Sequence, residues 1–545
     1  MKIRQFKYEN PRSSVVPLTG GLNEQEQILE MSAGELLICL NYEEVDGEVS
    51  GYRSVKGFEV FDGQQSPSEV PLVEVNGEID DTNREAARDL IEEIPGVGVP
   101  SGGFVFNGSL YAVRNNSESC ADLYKATLSG WEIVPQPEGF EFQQDGKLKA
   151  FVHRFDGYNN NQPVVVIVDG VSYPRIFNGT DFFILDSTNL PPDKFPHIAG
   201  VYDHRLFLGY REGSVIFSGV GDPTDFSEYS NAGEIFFGDD LTNIVETPGN
   251  TLALFFKNSI SFLKSLGYEE DGWVFQREVF SRTVGAFEGS ALNFLGDVYF
   301  ASDIGVLSLL AAQEFGDFSI IPLTKKVHKT YAALKESIVG SLIDNNTSQY
   351  KLFFNNGKVL AFSFNTQKGV KGVTNILYPF LPVSVFSGEL DGERRKFVIA
   401  SDGFCYEIDR GTSFNGSPIP TRFATAFYHY NSPRNWKKFK RIQLDISGES
   451  DITFSLRPSY TYGDILVHRG EIKEIETKFL YTSRWGEDKW GEMIYGGGMP
   501  VKTEVAYILG VGTVMSVCIS SFEKYKNQHT IQNLIVDYNI GSRRI

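Results

Sequence analysis

The chain has 545 residues and a net charge of −20, and 13% of its residues are aromatic. This length allows three or four domains with ample cores, and the acidic balance argues against gripping nucleic acid through its phosphates, which requires a basic surface. Its four dispersed cysteines form no Cys-x-x-Cys pair, so neither a zinc site nor a disulfide framework is indicated.

The charge is unevenly distributed along the chain. Residues 1–100 carry 8 Lys and Arg against 20 Asp and Glu, whereas residues 430–545 carry 16 against 13. An acidic wall would still let DNA slide past without sticking. The N-terminal stretch has no apolar signal region, and no run approaches the roughly 18 apolar residues of a membrane helix, so we expect a soluble chain without a membrane-spanning segment.

Residues 1–96 are predicted to form an extended arm followed by a helix. The first 80 residues are rich in turn formers, with short strands expected around Leu36 to Tyr42 and Phe58 to Phe61. Such a segment would be ordered only by lying on the propeller or on a neighbouring subunit; a solvated tail is the alternative. A helix is predicted over residues 82–94, with a capping box at Thr82 and Glu85.

Residues 97–428 repeat one pattern, in which two apolar, β-rich runs meet at a tight turn. The clearest copies turn at Asp169-Gly170 and Asn356-Gly357, dipeptides typical of type I′ hairpins. Looser copies turn near residues 212, 258, 304 and 402, and a weaker one spans residues 110–126. Successive turns are 43 to 52 residues apart, which is the period of a propeller blade. The sequence therefore predicts an all-β fold with a β-propeller of about seven blades; a large β-sandwich is the alternative.

Two further elements complete the prediction. A second short helix is expected over residues 324–335, as an insertion between blades. Residues 429–545 read as a separate antiparallel, sandwich-like β domain, with strands over residues 439–446, 453–458, 472–480, 501–509, 514–520 and 531–538. The basic run Asn435 to Arg441 could contact phosphate, although a solvated strand start is the preferred interpretation.

The chain offers no motif for catalysis. Its histidines lack metal-ligand spacing, and no Gly-x-Ser-x-Gly nucleophile motif is present. The acidic dyads Asp80-Asp81 and Asp239-Asp240 lie in turn contexts and are interpreted as caps. We therefore predict a protein that is not an enzyme, with no catalytic, cofactor-binding or metal-binding residues.

Three stretches of the chain resemble the propeller-containing tail nozzle proteins of short-tailed bacteriophages, which include the packaged-DNA stabilisation proteins. The first stretch is the arm, the second begins at Phe217, and the third closes the chain. Their residues are Gly20-Gly21-Leu22-Asn23 with Gly51-Tyr52-Arg53 and Gly57-Phe58-Glu59; Phe217-Ser218-Gly219 to Asp225-Phe226; and Ser483-Arg484-Trp485-Gly486, Trp490-Gly491 and Gly541-Ser542-Arg543-Arg544.

The resemblance implies a structural virion protein of the phage tail, assembled in the host cytoplasm. It would form a sixfold ring that contacts adaptor and portal-side proteins and distal tail or fibre proteins. The ring would retain the packaged genome and conduct it during ejection, without sequence-specific DNA binding or a cofactor. Arg53, Arg543 and Arg544 are candidate interface residues. The alternatives are a tail protein that binds or cleaves host-surface glycan through aromatics such as Trp273 or Trp436, and an intracellular propeller scaffold.

Overall fold

The structure is a computed structural model that describes residues 11–28, 30–45, 50–75, 78–116, 119–270, 273–310, 322–365, 369–461, 470–479 and 501–543. The fold is all-β with few helices, as the sequence predicts. No helix in these ranges is long and apolar enough to cross a membrane.

The N-terminal segment supplies short strands before the first blade. Their bounds in chain order are β1 (Pro11–Pro17), β2 (Leu36–Leu40), β3 (Tyr42–Val45), β4 (Gly51–Ser54), β5 (Phe58–Val60), β6 (Val73–Val75) and β7 (Glu78–Asp80), followed by helix α1 (Thr82–Asp89). Strands β6 and β7 form a separate two-stranded sheet. The other five strands join sheets that are completed by residues far along the chain.

Seven antiparallel sheets then follow one another through the described residues. Blade 1 contains β8 (Val97–Phe106), β9 (Ser109–Asn115), β10 (Cys120–Thr127), β11 (Gly130–Val134) and β12 (Phe142–Gln143). Blade 2 contains β13 (Lys149–His153), β14 (Val164–Val168), β15 (Arg175–Phe177) and β16 (Phe182–Ile184). Blade 3 contains β17 (Ile198–Tyr202), β18 (Arg205–Gly209), β19 (Ser214–Phe217) and β20 (Gly233–Phe236).

The remaining blades include one short sheet and one that is completed from the N-terminal segment. Blade 4 contains β21 (Leu241–Thr247), β22 (Thr251–Phe256), β23 (Ile260–Glu270) and β24 (Trp273–Ser281), and blade 5 contains β25 (Leu292–Phe294), β26 (Asp297–Ser302) and β27 (Gly305–Ser308). Helix α2 (His328–Leu334) precedes blade 6, which contains β28 (Ile338–Asp344), β29 (Gln349–Phe354), β30 (Lys358–Phe364) and β31 (Val370–Leu377). Blade 7 contains β32 (Pro382–Leu390), β33 (Glu393–Ala400), β34 (Cys405–Ile408) and β5.

The blades close into a ring. The first strand of each blade packs against the first strand of the next, and β32 of blade 7 returns to β8 of blade 1. The outermost strand of blade 7 is β5, which pairs with β34. Its Phe58 is buried among four aromatic rings, those of Tyr378, Phe380, Tyr406 and Phe414, at centroid distances of 4.9 to 5.7 Å. The N-terminal segment therefore supplies the strand that completes the seventh blade.

The recurrent hairpin predicted from the sequence is the pair of second and third strands in each blade. The turns near residues 169, 212, 258, 304, 356 and 402 all separate such strands. The type I′ turn is wrong, however, because φ is positive at Gly170 and Gly357 but not at Asp169 or Asn356. At Asn355-Asn356-Gly357, a three-residue loop with a left-handed glycine reverses the chain instead.

A β-sandwich of two sheets completes the fold. Its C-terminal strands are β35 (Ile419–Thr425), β36 (Asn435–Gly448), β37 (Ile452–Ser459), β38 (Lys473–Thr477), β39 (Val501–Gly512), β40 (Ser516–Glu523) and β41 (His529–Arg543). One sheet has the order β2-β35-β40-β37-β38. The other has six strands in the order β3-β4-β41-β36-β39, with β1 also paired to β41. Strands β1 to β4 of the N-terminal segment thus belong to the sandwich.

The structure differs from the predicted segments in two ways. The boundaries at residues 96 and 428 separate strands that share sheets, because β1 and β4 pair with β41, β2 pairs with β35, and β5 pairs with β34. Helix α1 ends at Asp89 rather than residue 94, and the capping box is absent: the Thr82 hydroxyl donates to Asp80 instead, at 2.6 Å. Helix α2 lies within the predicted second helix, with Val327 and Tyr331 buried.

Candidate assembly surface

The candidate residue Arg53 lies where the sandwich meets the propeller. It sits on β4 opposite Glu43 of β3, and its Nη2 donates to Glu43 Oε1 at 3.0 Å. The other carboxylate oxygen of Glu43 lies 3.8 Å from Nζ of Lys351, which belongs to blade 6. Arg53 also lines a polar crevice of about 300 Å³. Its main contact is therefore an ion pair inside this chain.

Lys351 begins a buried ionic network, which we call the charged junction: Glu43, Asp344, Lys351, Lys396 and Asp409. Asp409 Oδ2 lies 3.3 Å from Lys351 Nζ and 2.6 Å from Lys396 Nζ. Lys396 is also 2.6 Å from Asp344 Oδ2. These residues come from blade 6, blade 7 and strand β3, so the junction ties two blades to the sandwich.

Burial makes the ionisation of the charged junction interdependent. Burial alone would lower the pKa of Lys351, but the carboxylates of Asp409 and Glu43 hold it above its usual value. Burial would likewise raise the pKa of Asp409, but Lys351 and Lys396 outweigh this effect and hold it well below its usual value. Each buried ion is therefore stable only when its oppositely charged partners are in place. This requirement favours one arrangement of the propeller against the sandwich.

The outer face of the six-stranded sheet is a continuous surface that crosses four strands. One row runs from Ser13 of β1 through Asp537 and Arg441 to Tyr507 of β39. The Ser13 hydroxyl and the Arg441 guanidinium both donate to the carboxylate of Asp537. Both hydrogen bonds lower the pKa of Asp537, against the opposing effect of burial. The polar middle of this face is thus internally paired.

The last strand of this sheet, β39, presents apolar side chains to solvent. Tyr507 is 73% exposed and Leu509 is 86% exposed, and Val505 and Val511 lie on the same side. Ala506 and Ile508, which alternate with them, face the core. In the described residues, β36 is the strand that pairs with β39, so the other edge of β39 is unpaired. A long apolar edge strand of this kind favours pairing with another strand.

Next to this strand lies the basic run that the sequence analysis identified. Lys437 is buried, and its Nζ donates to the carbonyl oxygens of Ser432 at 2.7 Å and Thr513 at 2.8 Å. Burial lowers the pKa of Lys437 to about 8. Lys438, Lys440 and Arg441 are exposed. Lys437 is therefore structural, Arg441 is paired with Asp537, and Lys438 and Lys440 form a basic stripe beside the apolar edge.

The other candidate interface residues lie at the end of β41. The backbone of Arg543 pairs with Asn435 of β36. Arg544 lies outside the described residues, as does the glycine-rich stretch 485–498. The structure does not bring Arg53 and Arg543 together, since they belong to different ends of the sheet. Sequence reasoning missed β39 as a surface, although its run Val505-Ala506-Tyr507-Ile508-Leu509 is apolar on both faces, a pattern that indicates cover on each side.

The acidic dyads are structural, as expected. Asp239 Oδ2 accepts hydrogen bonds from the backbone N–H of Asn258 at 2.9 Å and from the Ser259 hydroxyl at 3.0 Å. The Asp80 carboxylate accepts a hydrogen bond from the backbone N–H of Thr82 at the start of α1. The Asp81 carboxylate accepts hydrogen bonds from the Lys524 ammonium group and the Tyr525 hydroxyl.

The described part of the chain contains no group of three His, Cys, Asp or Glu side chains that could hold a metal ion. The cavity between blades 4 and 5 has a volume of about 180 Å³, which is small for a ligand site. Trp436 is half-buried and already has a contact, and the side chain of Trp273 lies outside the described residues.

The axis of the propeller is bridged at one end. Lys149 begins the first strand of blade 2, and Glu288 immediately precedes blade 5; their side chains approach to 3.6 Å. Because blades 2 and 5 are not neighbours in the ring, this ion pair crosses the axis. The first strands of neighbouring blades also pack closely around the central channel. For example, Gly200 of blade 3 packs against Ile244 of blade 4.

Comparisons with known proteins find solved structures of low similarity and no matching family. No protein-family model and no curated protein match the chain. The crystal structure of BBS1N in complex with ARL6DN, soaked with mercury, is similar at 11% identity, with a TM-score of 0.39 over 59% of this chain and 95% of that chain. The computationally designed Ika8 protein is similar at 10% identity, with a TM-score of 0.32 over 58% of this chain and 98% of that chain. At these values the likeness carries no argument about function, and the propeller rests on the order of the sheets.

Proposed function

We propose that this chain is a structural virion protein that forms the tail nozzle ring of a short-tailed bacteriophage. In this role it closes the DNA channel, retains the packaged genome and conducts it during ejection. The observation that carries the proposal is the apolar, unpaired edge of β39, because such an edge is a template for association rather than for catalysis.

Two other features fit a wall that must bear load. The charged junction and the strands of the N-terminal segment join the propeller to the sandwich, so force on one domain is transmitted to the other. The net charge of −20 would also repel DNA from most of the surface and keep it from sticking during passage.

The DNA path in this proposal lies between copies and not through a propeller. The ion pair of Lys149 and Glu288 crosses the propeller axis. A duplex therefore requires a lumen surrounded by several subunits, each presenting an outer surface of its propeller or sandwich. A sixfold ring attached below the portal and its adaptor, with fibre proteins beyond it, is the assembly we propose.

The test is electron microscopy of the purified chain, alone and mixed with tail complexes that lack it. We expect rings with a central hole, and added density at the distal end of the tail. Particles that never add to the tail would contradict the proposal. A parallel assay for binding or shortening of host-surface oligosaccharides addresses the alternative function, and a positive result without tail addition would favour it.

A further inference from the structure

Among the described residues, the six-stranded sheet ends in an edge strand on each side. On one side is β39, and on the other is β1, whose pairing among the described elements is with β41. Within the described residues, the outer backbone groups of each of these two strands therefore have no partner strand. The two edges belong to the same sheet, so one copy carries both halves of a possible contact.

We propose that β39 of one copy pairs with β1 of the next copy, so that the sheet continues from subunit to subunit around the ring. This inference rests on the proposed ring and names its contact. The partner is a second copy of this chain, and the contact is heterologous: a different strand is used on each side, which is the kind of contact that closes into rings.

Strand polarity permits this pairing. From β1 through β41 and β36 to β39, every neighbouring pair is antiparallel. Strand β39 therefore runs opposite to β1. A copy placed beside the sheet in the same orientation presents its β1 antiparallel to β39, and the pattern is unbroken. The seven residues of β1 match the length of the apolar stretch Val505 to Val511.

The side chains on the joined face are also compatible. Val15 of β1 is 60% exposed and lies on the same outer face as Val505, through the row that includes Ile535 and Gln443. In the joined sheet it would pack beside Tyr507 or Leu509, and aromatic and β-branched neighbours of this kind stabilise sheets.

Charge favours this contact over a twofold one. The exposed lysines Lys438 and Lys440 lie on β36 beside β39, whereas β1 carries one charged side chain, that of Arg12. Pairing β39 with β1 therefore brings one cation near this stripe. Pairing two copies of β39 would instead bring two basic stripes together and leave β1 uncovered.

Cross-linking tests the proposal, because the two strands cannot be linked within one copy. Within one copy, Val15 lies three strand spacings, about 14 Å, across the sheet from Val505, and Leu509 lies four residues, about 13 Å, further along β39. The Cα atoms of Val15 and Leu509 are therefore about 19 Å apart, beyond the reach of a disulfide, about 7 Å between Cα atoms, and of a short bismaleimide. We would place Val15→Cys and Leu509→Cys together in a chain that also carries Cys120→Ser and Cys518→Ser. A short bismaleimide then reports contact between copies without depending on the register.

We expect a ladder of covalent oligomers from the double variant, ending at the size of the ring. Each single variant, Val15→Cys or Leu509→Cys, should remain monomeric on a denaturing gel. Covalent dimers from Leu509→Cys alone would overturn the proposal in favour of twofold pairing. Rings that form without a ladder, or the absence of any ladder both in solution and on the tail, would also overturn it.

A charge variant provides a second measurement. Leu509→Lys should abolish the ring and leave a folded monomer, as seen by light scattering and circular dichroism. The matched control is Leu128→Lys, since Leu128 is 87% exposed on a turn of blade 1, outside both edges. Equal loss of assembly in both variants would contradict the assignment to β39.

The two proposals fail separately. A cross-linked ring that does not add to tails would remove the nozzle and leave the strand pairing intact. Addition to tails without the β1 to β39 cross-link would support the nozzle and contradict the strand pairing.

Discussion

The propeller and the sandwich are both built from antiparallel sheets, but they differ in how far those sheets are covered by their neighbours. Each blade is made almost wholly from neighbouring residues, and the ring covers the faces of its sheets. The sandwich is assembled from the two ends of the described chain, and within the described residues β1 and β39 are edge strands without a second partner strand. The closed domain is thus suited to rigidity, and the domain with open edges is suited to assembly.

The largest expected effect comes from β5, the strand of blade 7 that the N-terminal segment supplies. Phe58→Ala empties the pocket formed by four aromatic rings, and we expect it to lower the free energy of unfolding by about 3–5 kcal/mol, measured by urea denaturation. Phe183→Ala, at a partly exposed position, is the control and should have a small effect. Equal effects would show that β5 adds little to ring closure.

The charged junction tests whether the two regions unfold together. Asp409→Asn leaves Lys351 and Lys396 buried without their shared carboxylate, so we expect a loss of at least about 3 kcal/mol. Fluorescence and circular dichroism should then show two unfolding transitions where the parent shows one. The surface pair is the control: Asp391→Asn should cost about 1 kcal/mol or less. A single unshifted transition in Asp409→Asn would contradict the coupling.

A substitution at Gly510 tests how tightly β39 packs on the core of the sandwich. A Cβ at Gly510 would overlap the ring of Tyr460, which is buried in the core. We expect Gly510→Ala to destabilise the fold by about 1–3 kcal/mol in thermal denaturation, because overpacking forces the ring to move. Gly369→Ala is the control, since its nearest neighbour, Asn365, is at 3.5 Å. An unchanged melting temperature for Gly510→Ala would show that β39 adjusts freely.

The last effect concerns pH and is confined to the sandwich. His529 is buried with Nε2 2.8 Å from the Tyr42 hydroxyl, and burial lowers its pKa to about 3. Between pH 6.5 and 3 the unfolded chain therefore binds a proton that the folded chain excludes. Stability contributed by the neutral imidazole is present above pH 6.5 and is lost as pH falls, by about 1.4 kcal/mol per unit.

Unfolding free energies measured from pH 7 to 5 should accordingly show a shallower slope in His529→Gln than in the parent. His328→Gln, at an exposed position, is the control and should keep the parent slope. Identical slopes in all three proteins would show that His529 is protonated in the folded state.

Local patterns predicted the propeller well for a physical reason. A hairpin such as β29 and β30 is specified by apolar residues a few positions apart and by the glycine between them, so both strands and turn are visible in one short window. Strands in the C-terminal part were also predicted. The error in turn type arose because Asp-Gly and Asn-Gly also fit loops in which only the glycine has positive φ.

By itself, the sequence determined the all-β class, the repeated hairpins, the acidic balance and the second helix. Only the tertiary structure decided that β5 completes blade 7, that β1 to β4 belong to the sandwich, and that Arg53 is held by Glu43. Contacts such as Tyr42 with His529 join residues 487 positions apart. Such a contact forms between surfaces that exist only once both segments have folded. The spacing of apolar residues within either segment therefore does not predict it.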